Sequence, residues 1–284
     1  MPFVNTLPYI SNPIEEFKDY RFVNWESGIY PTFKAGTKRE EIQFFVNLIT
    51  SRGLRKILDL GVRGGMELAA IAKSLGMSHY PTDSMEANEI DGTFIDFARK
   101  HFKSERLAIP VHQTNWLDLP RAVPPYTHNF DFAFLTGNSL TYIGGGTREY
   151  TKRAQQSVVS KFADIIEKGG YLFIDTRNYD YIHSLINLSR EEISQRFTFN
   201  YSIYYHGFQE KIVVFPAYIS DTVVVLHYYD KEQKLWSKLD LYPIYQADML
   251  DILSKDFDVE KIFYDFKKGS QEKSLFVQYL AKRR

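Results

Sequence analysis

Apolar positions along the chain change period several times, and each change marks an element. Over residues 38 to 52, Ile42, Phe45, Val46 and Ile49 recur at helical spacing, and Arg52-Gly53 ends the run. Lys56-Ile57-Leu58-Asp59-Leu60 is a short apolar run that enters the glycine cluster Gly61-Val62-Arg63-Gly64-Gly65, after which Met66 to Leu75 returns to helical spacing. Strand, glycine turn and helix in that order open a parallel sheet. A strand is predicted near residues 78 to 82, a helix from about 86 to 103 and a third strand around Leu107 to Val111. Asn129 to Thr136 reads as a fourth strand buried on both faces. A long amphipathic helix, about 148 to 168, ends at Lys168-Gly169-Gly170, and Tyr171 to Asp175 makes a fifth strand. Alternation of strand and helix across residues 55 to 177 predicts an α/β fold with a doubly wound, mostly parallel, Rossmann-like sheet.

Beyond that point the pattern breaks. Residues 198 to 245 are rich in Tyr, Val, Phe and Ile, with period-two stretches at Thr222 to Tyr229 and Leu235 to Tyr242, which predicts an antiparallel insertion capping one end of the sheet. A short helix near 246 to 255 and closing strands at about 258 to 265 and 274 to 281 complete the fold. The expected organisation is an N-terminal segment, 1–37, acting as a lid or assembly arm; a core of 38–197 and 246–284; and the cap, 198–245.

Charge and composition narrow the function. The 35 basic and 35 acidic residues of this 284-residue chain cancel, and the longest basic run is the terminal Lys282-Arg283-Arg284, so nucleic acid is not an expected partner. No cysteine occurs, which excludes disulfides, a thiolate nucleophile and any Cys-based zinc site. Met1 to Ser11 lacks the form of a signal peptide, and nowhere do about 18 apolar residues run together. A cytoplasmic protein with no membrane partner is the expectation. The seven histidines show no metal-ligand spacing, and Gly144-Gly145-Gly146, with no preceding strand and no following Gly-Lys-Ser/Thr, reads as a flexible connection rather than a phosphate loop.

A glycine turn after the first strand lets backbone come close to a ligand, and an acid ending the second strand accepts ribose hydroxyls. Asp59, Gly61 and Gly65 supply the turn, and Asp83, 18 residues beyond Gly65, is the predicted acid. An Asp after a strand is as often a turn former or helix cap, so spacing alone leaves those readings level. Thr114-Asn115-Trp116, Leu135-Thr136-Gly137-Asn138-Ser139 and Ile174-Asp175-Thr176-Arg177-Asn178-Tyr179-Asp180 fall at the C-terminal ends of predicted strands three, four and five, the edge where open α/β sheets bind ligands.

With these segments the chain resembles the glycine N-methyltransferases and the related glycine/sarcosine and sarcosine/dimethylglycine methyltransferases, class I enzymes that use S-adenosylmethionine. The resemblance runs from roughly residue 25 to the C-terminus and is most specific in Gly137-Asn138-Ser139 and the segment from Ile174, 37 residues apart, with Lys168-Gly169-Gly170 between them. Leu241-Tyr242-Pro243 and Tyr264-Asp265-Phe266-Lys267 are similar to the family's Tyr-Tyr-Pro and Gly-Asp-Phe-Lys segments. By position, the resemblance implies that Asp83 holds the ribose, Asn115 and Trp116 border the adenine, and Asp59, Gly61, Arg63, Gly65 and Leu135 line the rest of the cofactor site. It implies that Arg177 clamps the carboxylate of a small amine with help from Asn138. It also implies that Tyr30, Tyr205 and Tyr242 surround the methyl-transfer site, where neutral oxygens and π faces stabilise cationic groups.

One position departs from the family. Arg63 stands where a glycine is usual, so either the turn is strained there, or its register shifts onto Gly64, or the guanidinium reaches the cofactor's carboxylate. Three readings stay open: an S-adenosylmethionine-dependent N-methyltransferase for glycine, sarcosine or dimethylglycine, releasing S-adenosylhomocysteine; the same chemistry on another small amine of a natural-product pathway; and a non-catalytic binding protein of methyltransferase fold. Whether the chain forms a homo-oligomer is left open.

Overall fold

The computed structural model describes residues 18–19, 39–79, 83–122, 130–184, 212–230, 235–266 and 274–284. In chain order these form β1 (Lys18–Asp19), α1 (Arg39–Arg52), β2 (Lys56–Asp59), α2 (Met66–Met77), β3 (Ser84–Glu89), α3 (Gly92–Ser104), β4 (Val111–Gln113), α4 (Leu119–Ala122) and β5 (Phe130–Leu135). Then come α5 (Arg148–Ile165), β6 (Ile166–Arg177), α6 (Tyr179–Ser184), β7 (Ile212–Ile219), β8 (Val224–Asp230), β9 (Leu235–Leu241), α7 (Gln246–Leu253), β10 (Phe257–Tyr264) and β11 (Phe276–Arg283). Among the described residues no helix is long and apolar enough to cross a membrane. The chain divides into two compact units, one of residues 38–181 and 242–284, the other of 1–37 and 182–241.

The larger unit holds a seven-stranded sheet in the order β10-β11-β6-β5-β2-β3-β4. β6, β5, β2, β3 and β4 run parallel, while β11 lies antiparallel to both β6 and β10. Alternate residues send side chains to opposite faces. Ile57, Phe132, Phe134 and Phe173 pack with Phe45 and Ile49 of α1, Leu68 and Ile71 of α2, and Ile95 and Phe102 of α3. Leu58, Ala133, Leu135, Leu172 and Ile174 pack with Val158, Val159 and Phe162 of α5 and Met249, Ile252 and Leu253 of α7. Burial of each of these aromatic or branched side chains contributes about 1.5–3 kcal/mol, which explains why the strands read as continuous apolar runs. The smaller unit holds the sheet β1-β9-β8-β7, antiparallel as its period-two pattern implies except for the parallel pair β1 and β9.

Several boundaries differ from the sequence expectation. The second core strand is Ser84–Glu89 rather than 78 to 82, and the following helix starts at Gly92, where the Asp91 side chain accepts the N–H groups of Thr93 and Phe94, rather than at 86. The third strand is Val111–Gln113, later than expected. β6 starts at Ile166, so Lys168-Gly169-Gly170 lies within a strand instead of ending a helix. Its pairing with β5 shifts register between Phe130 and Phe132. A Cβ at Gly170 would stand 3.0 Å from the carbonyls of Asp131 and Glu167, so the irregularity requires glycine.

Candidate active site

Strand order reverses between β2 and β5, and the loops leaving the C-terminal ends of the parallel strands converge there. After β2 the chain turns through Gly61 to Gly65. The Gly61 N–H donates to Asp59 Oδ1 at 3.1 Å, Val62 N–H to Asn88 O, and Gly65 N–H to Val62 O. Gly65 has φ 76°, and a Cβ there would meet the Phe102 ring at 2.9 Å, so both backbone and packing demand glycine. Asp59 is buried. Burial first, and Glu67 second, push its carboxyl up to about 8, opposed by the Gly61 N–H and by Arg63.

Arg63 itself is left-handed, φ 49°, a conformation that costs a non-glycine residue about 1–2 kcal/mol. Its N–H donates to Glu89 Oε2 at 3.0 Å. Its Nη2 donates to the Gly137 carbonyl at 2.9 Å and to Ser139 Oγ at 2.8 Å, so the side chain spans the reversal point from the loop after β2 to the loop after β5. The guanidinium lies on the Gly137 backbone, where a Cβ would stand 2.6 Å from Nη2. The turn therefore keeps its register with arginine in the strained place, and Gly64 does not absorb it.

The acid at the end of the second core strand is Glu89, not Asp83. Asp83 precedes β3 at the opposite, N-terminal edge, where it pairs with Arg55 at 2.8 Å and stays largely exposed. Glu89 is buried at the C-terminal end; Oε2 accepts the Arg63 N–H, and Oε1 accepts the N–H groups of Ile90 and Asp91 at 2.8 and 3.2 Å. A carboxylate offers about four acceptor sites, so Glu89 retains room on Oε2 for one more donor. The strand escaped the sequence reading because its buried positions include Glu86, Asn88 and Glu89, each matched by a tertiary partner. Glu86 pairs with His112 Nε2 at 2.6 Å, and Asn88 Nδ2 donates to Thr114 O at 3.2 Å. The one signal available beforehand was Asp91, a helix-capping residue placed two positions after Glu89.

Next to it, the Asn115 side chain caps a short 3₁₀ turn by accepting the Leu117 N–H. Trp116 donates Nε1–H to the Leu60 carbonyl and packs edge-on against Phe162. A Cβ on Gly61 would stand 3.2 Å from Leu135 Cδ1 and 3.8 Å from Trp116 Cζ2, so Leu135 and Trp116 both border Gly61.

The loop after β5 is organised by Asn138, itself left-handed with φ 64° and buried. Its N–H donates to Asp175 Oδ1 at 3.0 Å, its Oδ1 accepts the Arg177 N–H at 2.9 Å, and its Nδ2 donates to the Tyr179 hydroxyl at 2.9 Å. Its carbonyl accepts Thr141 Oγ1–H at 2.7 Å. These bonds give Asn138 a positioning part: it ties the loop to the end of β6. Tyr179, which the residue pattern did not single out, is a buried member of this network, and burial raises its phenol above the ordinary value. Arg177 ends β6, is only 7% exposed, and lies over the Phe276 ring with Cζ 5.4 Å from its centroid.

Tyr242 reaches the same edge. Its N–H donates to Thr141 O at 2.8 Å, and Gln155 Nε2 bridges the carbonyls of Ile143 and Tyr242. A Cβ on Gly144 would meet Tyr242 Cγ at 2.5 Å, so the glycine turn is the surface on which this ring rests, a packing role rather than a flexible connection. Tyr30 and Tyr205 lie outside the described residues.

No family model matches the chain. Among curated relatives, a glycine/sarcosine N-methyltransferase from Aphanothece halophytica is 19% identical over 240 residues, covering 83% of this chain and 74% of that one. The glycine/sarcosine N-methyltransferase of Halorhodospira halochloris is 21% identical over 92% of this chain and 83% of its own. A glycine N-methyltransferase from Oryctolagus cuniculus is 25% identical, over about half of each chain. Among solved structures, an S-adenosylmethionine-dependent methyltransferase from Clostridium acetobutylicum superposes with a TM-score of 0.64 at 13% identity, over 92% of this chain and 99% of that one. The chain shares its fold with an S-adenosylmethionine-dependent methyltransferase and is similar in sequence to the glycine and glycine/sarcosine N-methyltransferases.

Proposed function

We propose that the protein methylates the amino group of a small, carboxylate-bearing amine, with glycine, sarcosine and dimethylglycine as the acceptors to test. The observation that carries this reading is Arg177: a buried guanidinium at the C-terminal end of β6, whose backbone is tied through Asn138 to the loop after β5. A planar fork in that place suits a carboxylate, which it can bond through both oxygens.

The residues at the edge fit the cofactor. The carboxylate of Glu89 takes the ribose in place of Asp83, using its remaining acceptor site on Oε2 for a hydroxyl. Gly61 and Gly65 bring backbone close, and Leu135 and Trp116 give apolar walls beside Gly61. Bound S-adenosylmethionine supplies an electrophilic methyl on a sulfonium. The chain's part is to hold acceptor and methyl in line and to keep negative nucleophiles away, which is mostly positioning and electrostatics. Tyr242, with Tyr30 and Tyr205 by resemblance, lends phenol oxygens and ring faces to the cationic groups. No protein base is assigned, because an amine entering an apolar pocket sheds its proton to solvent.

The test is calorimetric titration of the full chain with S-adenosylmethionine and S-adenosylhomocysteine, followed by product analysis with glycine, sarcosine and dimethylglycine. Binding with methylated product supports the proposal and ranks the acceptors. Binding without turnover moves the acceptor to another amine, and no binding of either nucleoside points to a non-catalytic protein of this fold.

A further inference from the structure

We infer that Arg63 grips the α-carboxylate of the cofactor's amino-acid end, so that the site holds two separate guanidinium clamps, one for the cofactor and one for the acceptor; this rests on the methyltransferase reading above. Arg63 keeps a long side chain at φ 49°, a conformation that glycine adopts at no steric cost, and two glycines follow it directly. An outlier retained in the middle of a glycine turn points to work done by its side chain. That side chain is aimed across the reversal point, with Nη2 on the Gly137 carbonyl and on Ser139 Oγ.

Charge identifies the ligand. The cofactor bears a sulfonium, an ammonium and one carboxylate. Of these only the carboxylate is anionic, which makes it the counterpart of a guanidinium. The loop Gly137-Asn138-Ser139 bonds both arginines, each through different residues. Ser139 and Gly137 fix Arg63 on the side of β2, whereas Asn138 fixes the Arg177 backbone on the side of β6. A carboxylate on the glycine-turn side belongs to the nucleoside, and one at the end of β6 belongs to the acceptor.

Two ligands separate this role from a purely structural staple. S-adenosylhomocysteine carries the amino-acid end, and 5′-methylthioadenosine lacks it while keeping the thioether and nucleoside. Calorimetric titration of the wild-type full chain, R63G and R63K with both should show R63G weakening S-adenosylhomocysteine about tenfold, the loss of a charge-assisted pair, while 5′-methylthioadenosine stays within about twofold. R63K, which keeps charge without the fork, should fall between wild type and R63G. Glycine suits the backbone at residue 63, so R63G keeps the turn. Equal weakening of both ligands would overturn the inference in favour of a staple between the loops. Tighter binding of S-adenosylhomocysteine by R63G would overturn it in favour of a side chain that obstructs the site. A wild-type protein that binds neither ligand overturns the methyltransferase reading itself, and this inference with it.

Discussion

The two ends of β3 carry acids of opposite character. At the N-terminal end Asp83 is 45% exposed in its side chain and pairs with Arg55, itself 49% exposed, a contact shared with water. Close by, Asp131 accepts the N–H groups of Arg55 and Lys56 and so closes the entrance to β2. At the C-terminal end Glu89 is buried and accepts three backbone N–H groups from two loops. Five residues of strand separate a surface ion pair from a group that shapes the ligand edge. In a parallel sheet every strand delivers its C-terminal end to the same edge, so the end a residue occupies decides whether it can meet a ligand at all.

The contrast is sharpest under substitution. Glu89→Ala should loosen S-adenosylhomocysteine roughly 100-fold and lower stability by about 1–3 kcal/mol, because it leaves three part-buried N–H groups without their acceptor as well as removing the proposed ribose acceptor. Titration and denaturant melts read both effects. Next in size, Arg177→Ala at the C-terminal end of β6 should cut kcat/KM for the acceptor about tenfold or more while leaving S-adenosylhomocysteine affinity within about twofold. A parallel loss of nucleoside affinity would remove Arg177 from the acceptor side.

A third measurement concerns Asp59, whose carboxyl burial raises to about 8. Between about pH 4 and that value the folded protein holds a proton that the unfolded chain has released, so this contribution to stability is complete below about pH 4 and is lost as pH rises towards 8. Thermal melts of Asp59→Asn should lack that decline. A wild-type profile parallel to the variant's would mean that the carboxyl ionises normally. The smallest effect belongs to Asp83→Ala, within about twofold on nucleoside binding and under about 1 kcal/mol on stability. If it exceeded Glu89→Ala, the assignment of the two ends would have to be exchanged.

Much of the core was legible because its strands are apolar. Ile57-Leu58, Phe130 to Leu135 and Leu172 to Ile174 bury side chains on both faces, and the intervening helices carry one apolar stripe each. β3 was not legible. Ser-Met-Glu-Ala-Asn-Glu has too few apolar positions to read as a buried strand, and its polar groups become acceptable inside only because His112, Thr114 and the turn at Arg63 supply partners from elsewhere. The same gap displaced the helix start and put Asp83 in the place of Glu89. Asn138 and Arg177 stand out in the sequence by residue type and place, yet the bond that makes Asn138 a positioning group joins positions 39 apart and exists only once β5 and β6 are paired.

The sequence by itself therefore determined the alternation of strand and helix in the core, the glycine turn, the period-two strands Val224–Asp230 and Leu235–Leu241 and the arginine that ends β6, since these follow from local periodicity and from residue type. Tertiary structure alone decided which acid reaches the ligand edge and where the Arg63 guanidinium rests. Both depend on register: the pairing of Lys56 with Ser84 and of Glu89 with Gln113 fixes how far β3 extends, and no local pattern encodes a partner that lies on another strand.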